Sequence, residues 1–279
     1  MMRSIRYLIL FLFVILLGCQ PQETKTLRLA TTTSVNDTGL LDILSIRLLN
    51  DKDIILKWVS VGTGKALALG KSCDADVVLT HMPSAEEEAI ASGGLKERTP
   101  IMYNYFVLVG PSSLKSEVSG ASVAEILQII YSKKYTFISR GDSSGTHQKE
   151  LELWQSIGVP KEELTTPWYI ETGQGMLQSL VIADEKQGFT LTDIATWNKF
   201  QDAYPNTQLI AYTANDESLK NVYSTLLVDK ARCPKVEEEG AREFVSWLIS
   251  QPIQELIGEY RLHNKEVFFP LYLEGMPKQ

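Results

Sequence analysis

The chain alternates short apolar runs with stretches of helical period. Residues 27–32 read as a strand, and Leu40, Leu41, Leu44 and Leu48 recur at the spacing that lines one face of a helix. Residues 54–61 form a second β-rich run. A short helix follows over 66–69, then a third strand over 75–80 and a helix over 85–92 with an acidic face. Residues 102–110 make a long apolar strand that stops at Gly110-Pro111. Beyond it the pattern predicts helices over 123–131 and 145–157 with a strand at 136–139 between them. Further helices fall near 176–184 and 193–200, strands at 208–212 and 223–228, and helices at 239–249 and 253–260. Strands that alternate with helices imply parallel pairing and an α/β fold. Trp154, Trp197 and Trp247 lie on apolar helix faces and are expected in the core. There is no internal repeat and no low-complexity segment.

The first eighteen residues have a different character. Arg3 and Arg6 precede an apolar run from Tyr7 to Leu17, and Leu16-Leu17-Gly18-Cys19 follows. A cationic head, a short apolar core and a small residue before a cut mark an export leader. The run is shorter than the ~20 apolar residues that a spanning helix needs. The tetrapeptide resembles a bacterial lipobox, which predicts cleavage after residue 18 and a lipidated Cys19. Several acyl chains on one terminus, each methylene contributing ~0.8 kcal/mol, hold firmly to a membrane. Residues 19–26 then read as a polar tether, and the protein is expected outside the cytoplasm, on the cell envelope.

About 260 residues remain after the leader, enough for two domains of ordinary size. Apolar residues make up 44% of the chain, so a substantial core is expected. Loss of Arg3 and Arg6 takes the net charge from −7 to −9. That acidity argues against a nucleic-acid partner, whose binding depends on neutralising phosphates. It does not argue against a small anion, because a site uses local dipoles rather than net charge. Cys73 and Cys233 form either a disulfide or two buried thiols. His81, His147 and His263 are scattered and no Cys/His cluster has metal spacing, so neither a metal site nor a cofactor is expected.

The candidate chemistry sits in four polar loops, each placed between a strand and a helix. They are Thr31-Thr32-Thr33-Ser34, Val61-Gly62-Thr63-Gly64, Arg140-Gly141-Asp142-Ser143-Ser144-Gly145-Thr146-His147 and Gly173-Gln174-Gly175-Met176. Helix N-termini present unpaired N–H groups and a partial positive charge. Glycine lets an anion approach the backbone closely. Ligands of open α/β sheets bind at the carboxyl ends of the strands, and four such loops converging build an anion cage. Taken singly, each loop is equally a capped helix start. The third is the most specific, because Arg140 adds a fixed donor fork suited to oxyanions.

At these residues the chain resembles the tungstate-binding components of tungstate-type ABC transporters. It carries that family's TTTS, VGTG, ADVxLxH and RGDxSGTH motifs in order, with Met102 to Pro111, Trp168 to Met176 and Phe189 to Asp193 also matching. The likeness runs from about Leu27 to about Pro270. It implies a two-lobed periplasmic-binding-protein-like fold of type II with two hinge crossings, near 106–110 and 208–214. Lobe 1 would comprise 27–107 and 213–279, and lobe 2 would comprise 108–212. Thr33, Ser34 and Thr63 are then expected to hold the anion from lobe 1. Arg140, Ser144, Gly145 and Thr146 hold it from lobe 2, with a backbone N–H of Gly175 or Met176. A permease and its ATPase are the implied partners of a monomeric chain. Thr80, Met82, the stretch 221–226 and the two cysteines depart from the family's usual pattern.

Tungstate and molybdate are dianions with acceptor oxygens only, whereas hydrogen phosphate keeps a proton that a carboxylate can accept. Asp142 therefore separates two readings. If it pairs with Arg140 and points away, the site favours a fully deprotonated anion; if it faces the ligand, phosphate gains. His81 either donates to the ligand or sits as a satisfied core residue, the structural role being favoured, and His147 reads as bracing its loop. Glu86-Glu87-Glu88 and Glu237-Glu238-Glu239 read as solvated helix starts. Ser143, Ser144 and His147 beside Asp142 hint at a hydrolase, but Ser144 and His147 stand three apart on one helix start and no G-x-S-x-G elbow is present. An enzyme is therefore not expected.

Overall fold

A computed structural model describes residues 24–212, 216–262 and 264–273. The leader, Cys19, most of the tether and residues 213–215 of the second expected crossing lie outside the described residues. The strands are β1 (Lys25–Thr32), β2 (Ile54–Val61), β3 (Val77–Thr80), β4 (Leu95–Pro111), β5 (Phe137–Ser139), β6 (Tyr169–Glu171), β7 (Phe189–Asp193), β8 (Leu209–Ala211) and β9 (Lys220–Val228). The helices are α1 (Thr33–Asn36), α2 (Leu40–Lys52), α3 (Thr63–Lys71), α4 (Pro83–Ala91), α5 (Lys115–Val118), α6 (Val123–Lys133), α7 (Gly145–Ser156), α8 (Met176–Lys186), α9 (Ile194–Ala203), α10 (Glu238–Leu248) and α11 (Gln251–Glu259).

The strands join in the order β2-β1-β3-β9-β4-β7-β5-β6, with β8 also on β4. β4 is shared between two halves of the molecule. Up to Tyr105 it pairs with β9, and from Phe106 onward with β7 and β8. Within each half the strands joined by helices are parallel: β1 with β2 and β3, and β5 with β6 and β7. The expectation of parallel pairing fails at β9, which is antiparallel to β3 and β4, and at β7 and β8 against β4. Local alternation reports only on strands that a helix connects. β9 reaches its neighbours from across the chain, so no crossover sets its direction.

Several boundaries also move. β1 starts at Lys25 rather than Leu27, because its ladder with β2 begins at Lys25 opposite Ile54. The last two residues of the expected tether are therefore strand. β4 starts at Leu95 rather than Met102. Its polar first part, with Pro100, breaks the apolar pattern, and the ladder shifts register between Lys96 and Thr99 and between Pro100 and Met102. β6 and β7 are strands the pattern does not predict: β6 is three residues long, and the alternation of Phe189-Thr190-Leu191-Thr192 spans only five residues with Asp193.

Each half has its own core. In the first, Leu40, Leu41, Leu44 and Leu48 of α2 meet Leu27 and Leu29 of β1 and Phe244 and Trp247 of α10. In the second, Trp154 packs edge-on to Phe137 at 5.1 Å between ring centres, with Trp168, Tyr169 and Phe189 around them. Trp197 and Phe200 fill the opposite face of that sheet half. All three tryptophans expected in the core are buried. Glu86 departs from its expected exposure. It is fully buried and accepts hydrogen bonds from Thr80 Oγ1, Met82 N and Arg98 Nε at 2.9, 2.9 and 2.7 Å. It caps α4 from within, where the sequence pattern shows only an acidic run. Cys73 and Cys233 are joined as a disulfide with Cα atoms 5.5 Å apart. Among the described residues no helix is long and apolar enough to cross a membrane.

Candidate oxyanion-binding site

The four Ser/Thr/Gly loops lead from β1, β2, β5 and β6 into α1, α3, α7 and α8. An inner cavity of about 370 Å³ is lined by Thr33, Ser34, Thr63, Arg140, Ser144, Gly145 and Thr146. An outer cavity of about 350 Å³ is lined by Thr33, Ser34, Arg140, Gly175 and Met176. The two share Thr33, Ser34, Arg140 and Met176, so they are parts of one cleft. All eight residues expected at the site border it.

Two traits recur at the helix starts of these four loops. α1, α3 and α8 have no side-chain cap, and none of α1, α3, α7 and α8 has an acidic residue in its first turn. By contrast α2, α4, α6 and α10 carry an acid in the first turn, although α9 and α11 do not. An acid in the first turn satisfies the helix dipole locally. Leaving it out, and leaving the N–H groups uncapped, keeps both available to an anion.

Arg140 projects from the loop after β5. Its Nη1 donates to Thr146 Oγ1 at 3.3 Å and its Nη2 to Asp142 Oδ2, while Nε is buried with no hydrogen-bond partner. An unpaired charged donor is costly to bury, so Nε is a group prepared for a ligand. Thr146 Oγ1 in turn donates to Met176 Sδ at 3.3 Å. Its hydroxyl is thus occupied, which leaves its backbone N–H for an anion.

The loop itself is tightly determined. Gly141 has φ +60°, and a Cβ there would lie 2.6 Å from Glu171 Cβ, so glycine is required. His147 is buried and accepts from Ser143 N at Nδ1, 3.0 Å away. It braces the loop, as expected. Ser144 Oγ accepts from His147 N at 3.3 Å as the cap of α7. The imidazole of His147 is therefore engaged with the backbone and not with a serine hydroxyl, which is no arrangement for nucleophilic catalysis.

Asp142 pairs with Arg140 while lining the inner cavity. Its Oδ1 accepts from Ser144 N at 3.1 Å and its Oδ2 from Arg140. Burial works to raise its pKa, but the Ser144 bonds and the Arg140 charge hold it below the usual carboxylate value. Both oxygens are engaged and ionised. Asp142 is thus paired with Arg140, as the reading for a fully deprotonated anion requires, but it also faces the cavity instead of pointing away.

His81 also borders the inner cavity. Its Nε2 lies 3.0 Å from Ser34 Oγ and its Nδ1 2.9 Å from Asn221 Oδ1. Burial lowers its pKa to about 4; the Asn221 bond opposes that shift and the Arg140 charge adds to it. A Cβ on Gly145 would come within 2.9 Å of His81 Cε1, so the two halves of the molecule meet here. Lys65 and Lys199 also line the cleft. Sequence patterning gave no sign of them, nor of Asn104 and Asn221, which lie far apart in the chain and become neighbours only through the β4–β9 ladder.

Behind the loop, Glu150 of α7 is buried and accepts from Tyr169 Oη at 2.6 Å. Burial raises its pKa to about 8, against hydrogen bonds from Tyr169 and Ser139. The unfolded carboxyl titrates near ~4.3. Its contribution to stability is therefore complete below that pH and is lost as the pH climbs to about 8. The Glu150→Gln variant should remove this loss. Its stability relative to the parent is expected to improve steadily between pH 5 and pH 8 in urea unfolding. A pH-independent difference would contradict the assignment.

A cleft between two α/β halves, lined by donors and helix N-termini, defines a class of solute-binding proteins. The sequence profile of the PBP superfamily domain matches residues 20–252, and the chain is a member of that superfamily. The tungstate-binding protein TupA of Campylobacter jejuni is 42% identical over 239 residues, which cover 84% of this chain and 87% of that protein. TupA of Peptoclostridium acidaminophilum is 41% identical over 243 residues, 86% of this chain and 82% of that protein. The solved structure of the tungstate-binding protein TupA from Desulfovibrio alaskensis superposes with a TM-score of 0.82 at 42% identity, covering 88% of this chain and 98% of that one. The chain belongs to the TupA family of tungstate-binding proteins.

Proposed function

We propose that this protein captures tungstate outside the cytoplasm and delivers it to the permease of an ABC transporter, whose ATPase drives uptake. The observation that carries the reading is the convergence of four acid-free helix starts on Arg140, whose Nε is buried without a partner. Donors alone suit an oxyanion that has no proton to give. In this reading Thr33, Ser34 and Thr63 hold the ligand from a lobe of 27–107 and 213–279. Arg140, Ser144, Gly145, Thr146 and Gly175 hold it from a lobe of 108–212. The ligand closes the lobes by its higher affinity for the closed state. Lipidation at Cys19 tethers the monomer to the envelope membrane. Molybdate is the alternative ligand closest in chemistry; phosphate would have to share an oxygen of Asp142 that already accepts from Arg140 or Ser144.

Thermal unfolding of the leader-free protein with each oxyanion tests this. A ligand bound only by the native state stabilises it by RT ln(1 + [L]/Kd), about 4 kcal/mol at a thousandfold excess over Kd. Tungstate is expected to raise Tm by several degrees, molybdate by as much or less, and sulfate and phosphate not at all. A response to phosphate alone would move the assignment to phosphate capture.

A further inference from the structure

The hydrogen-bond chain behind Ser34 has a consequence for how the anion is held. Asn221 Nδ2 donates to Asn104 Oδ1 at 2.8 Å, so Asn221 presents its oxygen to His81. Nδ1 of His81 must then carry the ring's proton, and Nε2 is bare. A bare Nε2 accepts the proton of Ser34, 3.0 Å away. With its one proton committed to the ring, the Ser34 hydroxyl has none for the cavity; its lone pairs meet Tyr223 Oη, which donates at 3.5 Å, and Thr32 Oγ1 at 3.0 Å. An oxyanion that is all acceptor gains no hydrogen bond from Ser34 in that state.

The charges point the same way. Arg140 and Asp142 largely cancel each other, which leaves Lys65 as the net cation of the inner cavity. Against a dianion the cavity is short by one positive charge. The groups around His81 are Arg140 and Asp142 across the cleft, Lys65 on α3 and Tyr223 of β9, whose ring is 4.8 Å from the imidazole. The Glu86–Arg98 pair behind it is closed on itself.

Resting on the proposed capture of tungstate, we propose that His81 is a positioning residue that takes up one proton from solvent at Nε2 when the dianion binds. The imidazolium then donates from Nε2 to Ser34 Oγ and from Nδ1 to Asn221. Ser34 is freed to donate to the ligand, and the missing positive charge is supplied. The burial that keeps the empty site's imidazole neutral, at about 4, is offset by the anion beside it.

The test is titration calorimetry of the leader-free protein with tungstate at pH 6 and pH 8, each in two buffers of different ionisation enthalpy. Expected at pH 6 is an uptake of about half to one proton, falling toward pH 8. Affinity should tighten roughly three- to tenfold for each unit of pH lowered, as one-proton linkage requires. His81→Gln places a permanent amide donor near the Nε2 position. It should bind tungstate with no proton uptake and no pH dependence. If that variant does not fold, the ¹⁵N shifts of His81 report the same event directly, Nε2 bare without tungstate and protonated with it. Uptake below about a tenth of a proton at pH 6, or uptake that persists in His81→Gln, overturns the proposal. The first outcome means that the Asn104–Asn221 amides flip instead. No tungstate binding at either pH overturns the functional reading itself, and this inference with it.

Discussion

Arg140→Gln is expected to weaken tungstate binding ten- to a hundredfold while leaving the fold intact. Among the described residues Arg140 is the one arginine lining the cleft, and it sits where the four helix starts converge. A hydrogen bond to a charged group contributes about 1.5–3 kcal/mol, which corresponds to that range in affinity. Glutamine keeps a donor but not the charge or the fork, so the loss isolates what arginine adds. The same change frees Asp142, whose second oxygen is held by Arg140. An unpaired carboxylate beside a dianion repels it, which pushes the effect toward the upper end. Calorimetric titration of both proteins reads this directly, and an unchanged Kd would remove Arg140 from the site.

Reduction of the Cys73–Cys233 disulfide should cost the protein about 4 kcal/mol of stability and roughly 10 °C in Tm. The bond closes a loop of 160 residues in sequence separation, which contains the whole second half of the molecule. Most of its effect comes from restricting the unfolded chain. The native contacts nearby do not depend on it. Asp76 still receives Arg28 and the N–H of Glu237, 3.0 Å away, so the segment carrying Cys233 stays attached. Binding should therefore survive reduction at room temperature. Thiol titration of the denatured, unreduced protein starting after Cys19 is the check. Two free thiols rather than none would rule the bond out, and an unchanged Tm on reduction would show that the loop contributes nothing.

Much of the candidate site was legible along the chain because its parts are local. A loop of Thr, Ser and Gly between a strand and a helix is a contiguous signal, and so are the arginine and glycines of 140–147. The helical period of Leu40, Leu41, Leu44 and Leu48 likewise places a core face without reference to anything distant. The readings that failed rest on partners remote in sequence. Glu86 looks solvated beside Glu87 and Glu88 until Arg98 of β4 folds over it. The direction of β9 cannot be read from a local repeat, since it pairs with strands to which no helix connects it.

The sequence by itself determined the α/β alternation, the composition of the anion loops and the identity of their one arginine, since each is written within a turn or two of chain. Only the tertiary structure decided that these loops face a single cleft. It also decided that Asp142 is bound to Arg140, and that His81 stands between Ser34 and Asn221. Those are contacts between residues up to 140 positions apart. Their geometry is fixed by the pairing of β4 with β9 and by the packing of two cores, neither of which a local pattern contains.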